Sequence, residues 1–418
     1  MKIGLLIIGS EVLGGKVSDL NTRILADFLR PNHLEISEAI IARDEKASIQ
    51  KALTDIFKNN DVVLTSGGLG PTKDDITKET LGEFLGRKLQ FSEKAMKVAV
   101  ENYQRFNRPF PGKEHSYCFL PEGFTALSNS SGFAPGFFTS FENKFLISGP
   151  GVPREFRSLL QDHFLRIVAD KIDKTLYQDN VIFRTKNIPE EKIFEEVDSS
   201  LWDKLSKYGE VSSLPILMGV DIGIKIKGST NDEIAKKVSA VKKLVEASPV
   251  YRNVWHVGPE SIEEKIVVLA NQKGIKFGFA ESATGGLCSH RITNISGSSQ
   301  CFMGSVVCYD EKVKEHVLGV KRKTLDEFTA VSHECAREMA EGLRKNFSLD
   351  IAISITGFAG PGGGNDQFPV GSVCIGRALI KEETVSEHFI LKGDREVLKQ
   401  RFSQAALYAL LDEVENFA

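Results

Sequence analysis

Apolar positions along the chain follow two spacings that alternate. Short continuous apolar runs recur at Lys2 to Ile8, Asp61 to Thr65, Lys144 to Ser148, Phe277 to Ala280, Ser305 to Tyr309, Ile351 to Thr356 and Val370 to Gly376. Each suits a strand buried on both faces and is too short for a helix. Between them the apolar residues fall three and four apart. Asp19 to Leu29 carries Leu20, Ile24, Leu25 and Phe28; Asp75 to Leu85 carries Ile76, Leu81 and Phe84. Pro259 to Lys273 (through Ile262, Ile266, Leu269 and Ala270), Ser332 to Lys345 and Arg395 to Val414 follow the same rule. Strands alternating with helices predict a mostly parallel sheet covered on both faces. The middle stretch, from about Asp173 to Val257, differs. Gly219 to Lys227 places Val220, Ile222, Ile224 and Ile226 on one face, Asn180 to Lys186 is a second strand, and two charged helices are expected over Glu190 to Leu205 and Asn231 to Ala247. The fold class read from this is α/β, with two three-layer α/β domains over residues 1–170 and 257–418 joined by a small α+β module over 171–256.

Composition agrees and removes several alternatives. At roughly 150 residues per domain, 418 residues suggest about three domains. The chain is 41% hydrophobic and 26% charged, ordinary globular usage. Lys plus Arg is 53 against 56 Asp plus Glu, a net charge of -3, so no excess of charge points to nucleic acid or an anionic membrane. The first apolar run stops at Gly9-Ser10-Glu11, too short for a signal peptide, and no transmembrane run follows. Six scattered cysteines without a CxxC pair read as reduced thiols of a cytoplasmic protein, and the eight histidines are dispersed.

Two constellations could carry chemistry. The first joins Gly9, Ser10, Glu11, Asp19 and Asn21 with the run Gly67-Gly68-Leu69-Gly70-Pro71-Thr72-Lys73-Asp74-Asp75-Ile76-Thr77. Glycines after a strand let backbone N–H groups approach a phosphate, and nearby carboxylates can hold a divalent cation bridging phosphate oxygens. The competing reading is a tight strand–helix turn with Asp75 as its cap. A P-loop at Gly9 to Lys16 fails, being one residue out of register with Val17 in the hydroxyl position.

The second is Glu281-Ser282-Ala283-Thr284-Gly285-Gly286. A serine at a strand-to-helix turn can present its hydroxyl to a cleft, with following N–H groups stabilising an oxyanion. The competing reading is a helix N-cap. Tyr309 and Lys314 could supply a Ser–Tyr–Lys proton relay, and Thr356 to Gly364 a second wall.

At these residues the chain resembles the CinA family (competence/damage-inducible protein A) over essentially its whole length. Gly9-Ser10-Glu11, Gly67 to Thr77, Ala134-Pro135-Gly136 and Gly149 to Glu155 match the molybdopterin-binding-type domain of that family. Ala280 to Gly286, Gly304 to Lys314, Leu318-Gly319-Val320 and Thr356 to Gly364 with Pro369-Val370-Gly371 match its nicotinamide-nucleotide amidase domain. The resemblance implies two activities of pyridine-nucleotide salvage. The C-terminal domain would hydrolyse nicotinamide mononucleotide to nicotinic acid mononucleotide and ammonia, without a cofactor. The N-terminal domain would cleave the pyrophosphate of ADP-ribose with a divalent metal. The middle module would be KH-like, though it lacks a Gly-x-x-Gly clamp and no nucleic-acid partner is expected. A homodimer or other homo-oligomer is expected.

Carried over by position, Ser282 is the nucleophile, with Tyr309 and Lys314 in support. Glu281, Thr284, Gly285, Gly286, Thr356, Gly357, Gly360 and Gly362 would line the amide site, with backbone donors from Thr284, Gly285 and Gly286. Arg401 would meet the substrate phosphate. Gly9, Ser10, Gly67, Gly68, Gly70 and Thr72 would bind ADP-ribose, with Asp74, Asp75, Glu11 and Asp19 at the metal. The chain departs from the family pattern at Ala283 (usually cysteine), at Glu311 (usually asparagine), and at Ser116-Tyr117-Cys118, in place of Lys-Gln-Ala. Ala283 excludes a thiol mechanism at that position. The alternative to an enzyme is a nucleotide- or molybdopterin-binding scaffold linked to competence or recombination.

Overall fold

The structure, a computed structural model, describes residues 1–172 and 177–417. The expected start of the middle stretch at Asp173 lies outside the described residues. The chain divides into two compact units, Met1–Gln178 with Gly228–Asn231, and Asp179–Lys227 with Asp232–Ala418.

In the first unit, β1 (Ile3–Ile8), β2 (Ile36–Ala42) and β3 (Val62–Ser66) pair in parallel around β1. A short ribbon of β4 (Leu89–Phe91) and β5 (Phe119–Pro121) stands apart. β6 (Thr125–Leu127), β7 (Gly136–Phe141) and β8 (Lys144–Gly149) complete a six-stranded sheet of order β2-β1-β3-β8-β7-β6. β3 and β8 are parallel, while β7 and β6 run antiparallel. Every residue of β1 is buried, because its alternate side chains feed two cores. Leu6 and Ile8 join Ile49, Leu53 and Ile56 of the helix Lys46–Asn59, and Ile3, Leu5 and Ile7 join Leu25, Leu29 and Phe156 on the opposite face. This is the three-layer α/β arrangement read from the sequence.

In the second unit, β9 (Tyr177–Thr185), β10 (Glu210–Ile216), β11 (Gly219–Gly228) and β12 (Val254–Val257) form a sheet of order β10-β11-β9-β12. The alternation predicted for β11 holds, with Val220, Ile222, Ile224 and Ile226 buried. The helix expected over Glu190 to Leu205 is broken into Lys192–Val197 and Leu201–Ser206. Asp198 interrupts it by accepting hydrogen bonds from the Ser200 hydroxyl at 2.7 Å and the Ser248 hydroxyl at 2.8 Å.

The second sheet of this unit contains β13 (Phe277–Glu281), β14 (Phe302–Val307), β15 (Ile351–Gly357), β16 (Ser372–Leu379) and β17 (Val385–Ile390), in the order β14-β13-β15-β16-β17. The first three are parallel; β16 and β17 are antiparallel. The helices Ile262–Lys273 and Arg395–Asn416 cover one face and His333–Phe347 the other. Ile262–Lys273 starts later than its periodicity suggested because Ser261 and Glu264 close a capping box ahead of it. Among the described residues no helix is long and apolar enough to cross a membrane.

Candidate functional site

Two clefts, one in each unit, contain part of the residues singled out from the sequence. In the second unit, β14, β13 and β15 end together, with Glu281 opposite Val307 and Ile355. Ligands of parallel sheets bind beyond such strand ends. Immediately past β13 the chain makes its turn. Ser282 N–H donates to the Ile355 carbonyl at 2.9 Å, which fixes the serine at the sheet edge.

The turn is organised by Glu281, whose side chain is fully buried. Its carboxylate accepts from the Thr284 hydroxyl (2.8 Å), Gly286 N–H (2.9 Å), Cys288 N–H (3.1 Å), Ser289 N–H (3.0 Å) and the Ser289 hydroxyl (2.6 Å). Glu281 is therefore a clamp on the turn and not a group that meets substrate. Gly285 N–H is also spent, on the Ser282 carbonyl at 3.2 Å. The expected donors Gly285 and Gly286, and the Thr284 hydroxyl, are thus consumed inside the turn. The N–H groups of Ala283 and Thr284 have no acceptor among the described residues.

Lys314 enters from the helix Glu311–Leu318, capped by Asp310, whose carboxylate accepts from Lys312 N–H at 2.8 Å. Its side chain is only 1% exposed. Nζ stands 2.9 Å from Ser282 Oγ, 2.6 Å from the Cys308 carbonyl and 3.4 Å from the Tyr309 carbonyl. Ser282 and Lys314 are brought together as expected, although 32 positions separate them. Tyr309 is not placed as a relay. It serves Lys314 through its backbone carbonyl, while its phenol, on a residue 66% exposed, accepts from Arg395 Nη2 at 3.1 Å. Burial pushes the neighbouring Cys308 thiol up to about 11, so it stays protonated and non-nucleophilic at neutral pH.

The cleft is about 290 Å³ and is lined by Ser282, Ala283, Tyr309, Lys314, Thr356, Gly357, Gly360, Gly362 and Arg395, among others. Thr356 contributes its methyl face, because its hydroxyl donates to the Ala330 carbonyl at 2.6 Å. Arg401 does not reach the cleft. It lines a separate groove, with Nη1 on the Lys392 carbonyl at 2.5 Å. The arginine present is Arg395, six residues earlier on the same helix, whose Nη1 holds the Gly360 carbonyl at 2.5 Å. The Lys399 ammonium lies 3.8 Å from where a Cβ on Gly285 would stand. Arg395 and Lys399 were missed because helical phase alone does not say which turn of a helix overhangs a cleft.

In the first unit, a cleft of about 580 Å³ lies beyond the ends of β1, β3 and β8. Glu11, Gly67, Gly68, Gly70, Asp74 and Asp75 line it. So do Asp44, Tyr117 and Glu155, which the sequence did not reveal as site residues. Gly67 and Gly68 have φ of +114° and +66°. A Cβ on Gly67 would stand 2.0 Å from the Ile8 carbonyl, and one on Gly68 2.1 Å from Thr77 Oγ1. The packing of the loop itself already demands both glycines.

Several expected roles change. Ser10 is engaged with Asp44, donating its N–H at 2.7 Å while its hydroxyl accepts Asp44 N–H at 3.2 Å. Gly9, Ser10 and Thr72 do not line the cleft, and Gly9 N–H is spent on the Ala42 carbonyl. Asp75 is a loop clamp, accepting from Gly70 N–H (2.7 Å), Thr72 N–H (2.9 Å) and the Thr72 hydroxyl. Asp19 caps the helix Asn21–Leu29 through Asn21 N–H at 2.8 Å and Thr22 N–H at 3.2 Å, and it does not line the cleft. Of the four expected metal ligands only Glu11 lines the cleft outside such clamps; the Thr72 hydroxyl and its own N–H hold the Asp74 carboxyl below its ordinary range. Among the described residues no three His, Cys, Asp or Glu side chains gather to hold a metal. The residues present do not make a protein-built divalent-metal site, and no chemical step is drawn through one.

The electrostatics of this cleft come from burial. It raises the Glu155 carboxyl, partly offset by the Asn129 amide that donates to it at 2.7 Å. Burial also pushes the Lys78 ammonium down, against the opposing charges of Glu79 and Asp75. Lys78 donates to the Ser116 carbonyl, so the departure at Ser116-Tyr117-Cys118 meets a buried amine from a neighbouring helix. Tyr117 stands 7% exposed with its phenol pushed up by the same burial.

Comparison with known proteins matches both parts of the chain to described families. Residues 259–414 match the family described as CinA C-terminal domain, and residues 4–192 match the probable molybdopterin binding domain. A protein of Halothermothrix orenii named as competence-damage inducible is 34% identical, with 96% of each chain covered. One of the same name from Clostridium perfringens is 32% identical over 100% of each chain. The CinA-like protein of Chloroherpeton thalassium is 33% identical over 96% of each. Among solved structures, the competence/damage inducible protein CihA of Agrobacterium tumefaciens is 32% identical, covering 37% of this chain and 96% of that one, with a TM-score of 0.36. With relatives matched end to end and both of its domains identified, the chain belongs to the CinA family, as a protein that joins a molybdopterin-binding-like domain to a CinA C-terminal domain.

Proposed function

We propose that the Ser282 cleft hydrolyses the carboxamide of nicotinamide mononucleotide, releasing ammonia and nicotinic acid mononucleotide. The observation that carries this reading is the buried Lys314 amine 2.9 Å from Ser282 Oγ. A neutral amine has two N–H donors and one lone pair. As the ammonium, Lys314 donates to Ser282 Oγ and to the Cys308 and Tyr309 carbonyls; the amine form that the reaction uses would keep the two carbonyls and turn its lone pair to the serine proton. Once protonated, the ammonium can donate to all three oxygens without moving. Ser282 Oγ attacks the amide carbon as its proton passes to Lys314, and the oxyanion is held by the N–H groups of Ala283 and Thr284. Collapse of the tetrahedral species breaks the C–N bond, Lys314 returns the proton to the leaving amine, and ammonia departs. Water then cleaves the ester, regenerating the serine and giving the carboxylic acid. Arg395 and Lys399, both at the start of the helix Arg395–Asn416, supply the positive charge for the substrate's phosphate. Ser282→Ala should lower ammonia release by about 1,000-fold or more, as loss of a nucleophile does. Unchanged turnover in that variant overturns the assignment.

For the first unit, the reading best supported is hydrolysis of the pyrophosphate of ADP-ribose. Glu155 favours it, a carboxyl raised by burial on the wall of a 580 Å³ cleft, where it can accept a proton from an attacking water. Glu155→Gln should remove AMP release from ADP-ribose while leaving ammonia release unchanged. AMP release at the native rate would overturn this part.

A further inference from the structure

One cavity of the second unit is neither of the clefts above. It is a groove of about 600 Å³ between the β10–β11 hairpin and β17. Its lining is mainly apolar, with Ile188, Leu217, Met218, Phe389 and Leu391 in its walls. Its one cationic residue is Arg401. That guanidinium is poorly satisfied. Nη1 donates to the Lys392 carbonyl at 2.5 Å, but Nε is buried and has no acceptor among the described residues. A buried donor left unpaired is costly, and on a charged group more so. A guanidinium is suited to a planar anion such as a carboxylate, and Arg401 Nη2 has no acceptor among the described residues. An apolar cavity of this size with one oriented polar group is the usual form of a small-molecule site.

We propose that this groove binds a small amphipathic monoanion, an apolar or aromatic body carrying a single acidic group, with the acid on Arg401 and the body against Leu217, Met218 and Phe389. The site is separate from the Ser282 cleft and does not depend on the reaction assigned there. The groove does not suit a nucleotide diphosphate, because Glu190 and Glu191 line it beside a single cation.

The test uses the full chain and two fluorescent probes that share one aromatic body: 1-anilinonaphthalene-8-sulfonate, an anion, and its neutral counterpart N-phenyl-1-naphthylamine. The anion should bind at one saturable site per chain. Arg401→Met should weaken it about tenfold or more while leaving the neutral probe within about twofold. Leu217→Asp, on the turn between β10 and β11, introduces a negative charge beside the apolar wall and should weaken the anion even with Arg401 intact. Decanoate should compete with the anionic probe for the native chain. The proposal is overturned if the native chain has no saturable site for the anion, or if Arg401→Met weakens both probes equally. It is also overturned if Leu217→Asp leaves the anion's affinity unchanged, an arm that stands even where Arg401→Met does not fold.

Discussion

Replacing Glu281 by Gln separates the two roles open to this residue. As a clamp on the turn, its two oxygens accept hydrogen bonds from Thr284, Gly286, Cys288 and Ser289 and donate none, which is the pattern of a carboxylate. Among the described residues it makes no salt bridge. Glutamine is almost isosteric but has one oxygen. Its better orientation keeps the oxygen toward Thr284, Gly286 and Cys288 and turns the NH2 toward Ser289. The Ser289 hydroxyl can rotate to accept from it, but the Ser289 N–H, now facing another donor, loses its bond. A backbone bond to a charged acceptor is worth about 1.5–3 kcal/mol, and the stranded donor adds about 1–3 kcal/mol. The expected cost is about 3–5 kcal/mol. In a domain of about 150–250 residues each kcal/mol shifts Tm by about 2–4 °C, so a loss of about 10 °C is expected. The two units need not unfold together, so the readout should be specific to the second: the temperature at which half the ammonia-releasing activity is lost on brief heating. Displacement of Ser282 should also lower kcat by about 100-fold, since small misplacements at a reacting centre cost about that much. A variant with native heat resistance and a raised KM would show that Glu281 touches substrate, and the clamp reasoning would fail.

Three other outcomes follow from the same geometry. Arg395→Ala should raise KM for nicotinamide mononucleotide by about tenfold or more and leave hydrolysis of nicotinamide riboside, which lacks the phosphate, little changed; equal effects on both would remove Arg395 from phosphate recognition. Asp75→Ala should lower the melting temperature of the first unit by several degrees, since the loop loses three bonds to that carboxylate, at about 1 kcal/mol each; native stability with lost ADP-ribose turnover would return Asp75 to a direct role. His388, whose Nε2 is buried without a partner, is held below its ordinary 6.5 by burial and then by His333. A depressed histidine contributes stability above 6.5 that is lost as pH falls through the lowered value, so His388→Asn should flatten the acid side of the second unit's stability profile, measured as Tm between about pH 7 and 5; a profile identical to the native one would refute this.

Much of the fold was legible because the core strands bury both faces. β1, β3 and β15 are continuous apolar runs, and β11 alternates, so periodicity located them directly. Strands that carry polar residues on one side were harder. β2 alternates half-buried and exposed positions and gave no clear run, and the Glu190 to Leu205 helix was split by a local bond at Asp198. In the site, Ser282 and Lys314, read as two members of a Ser–Tyr–Lys relay, do meet across 32 residues, while the Tyr309 phenol stays outside.

Residue type and order along this chain determined the alternation of buried strands and helices, and therefore two α/β sheets whose strand ends carry glycine-rich turns. They also determined membership of the CinA family. What only the tertiary structure decided was the use of each polar group. Glu281, Asp75 and Asp19 look like ligands in the sequence, but a buried or turn-closing carboxylate is consumed by nearby N–H groups when the backbone closes around it. Arg395 rather than Arg401 reaches the serine cleft because a helix turns by about 100° per residue, so that Arg401, six residues on, leaves the helix on another side. The direction of a side chain depends on packing across the whole sheet, and local sequence does not contain that information.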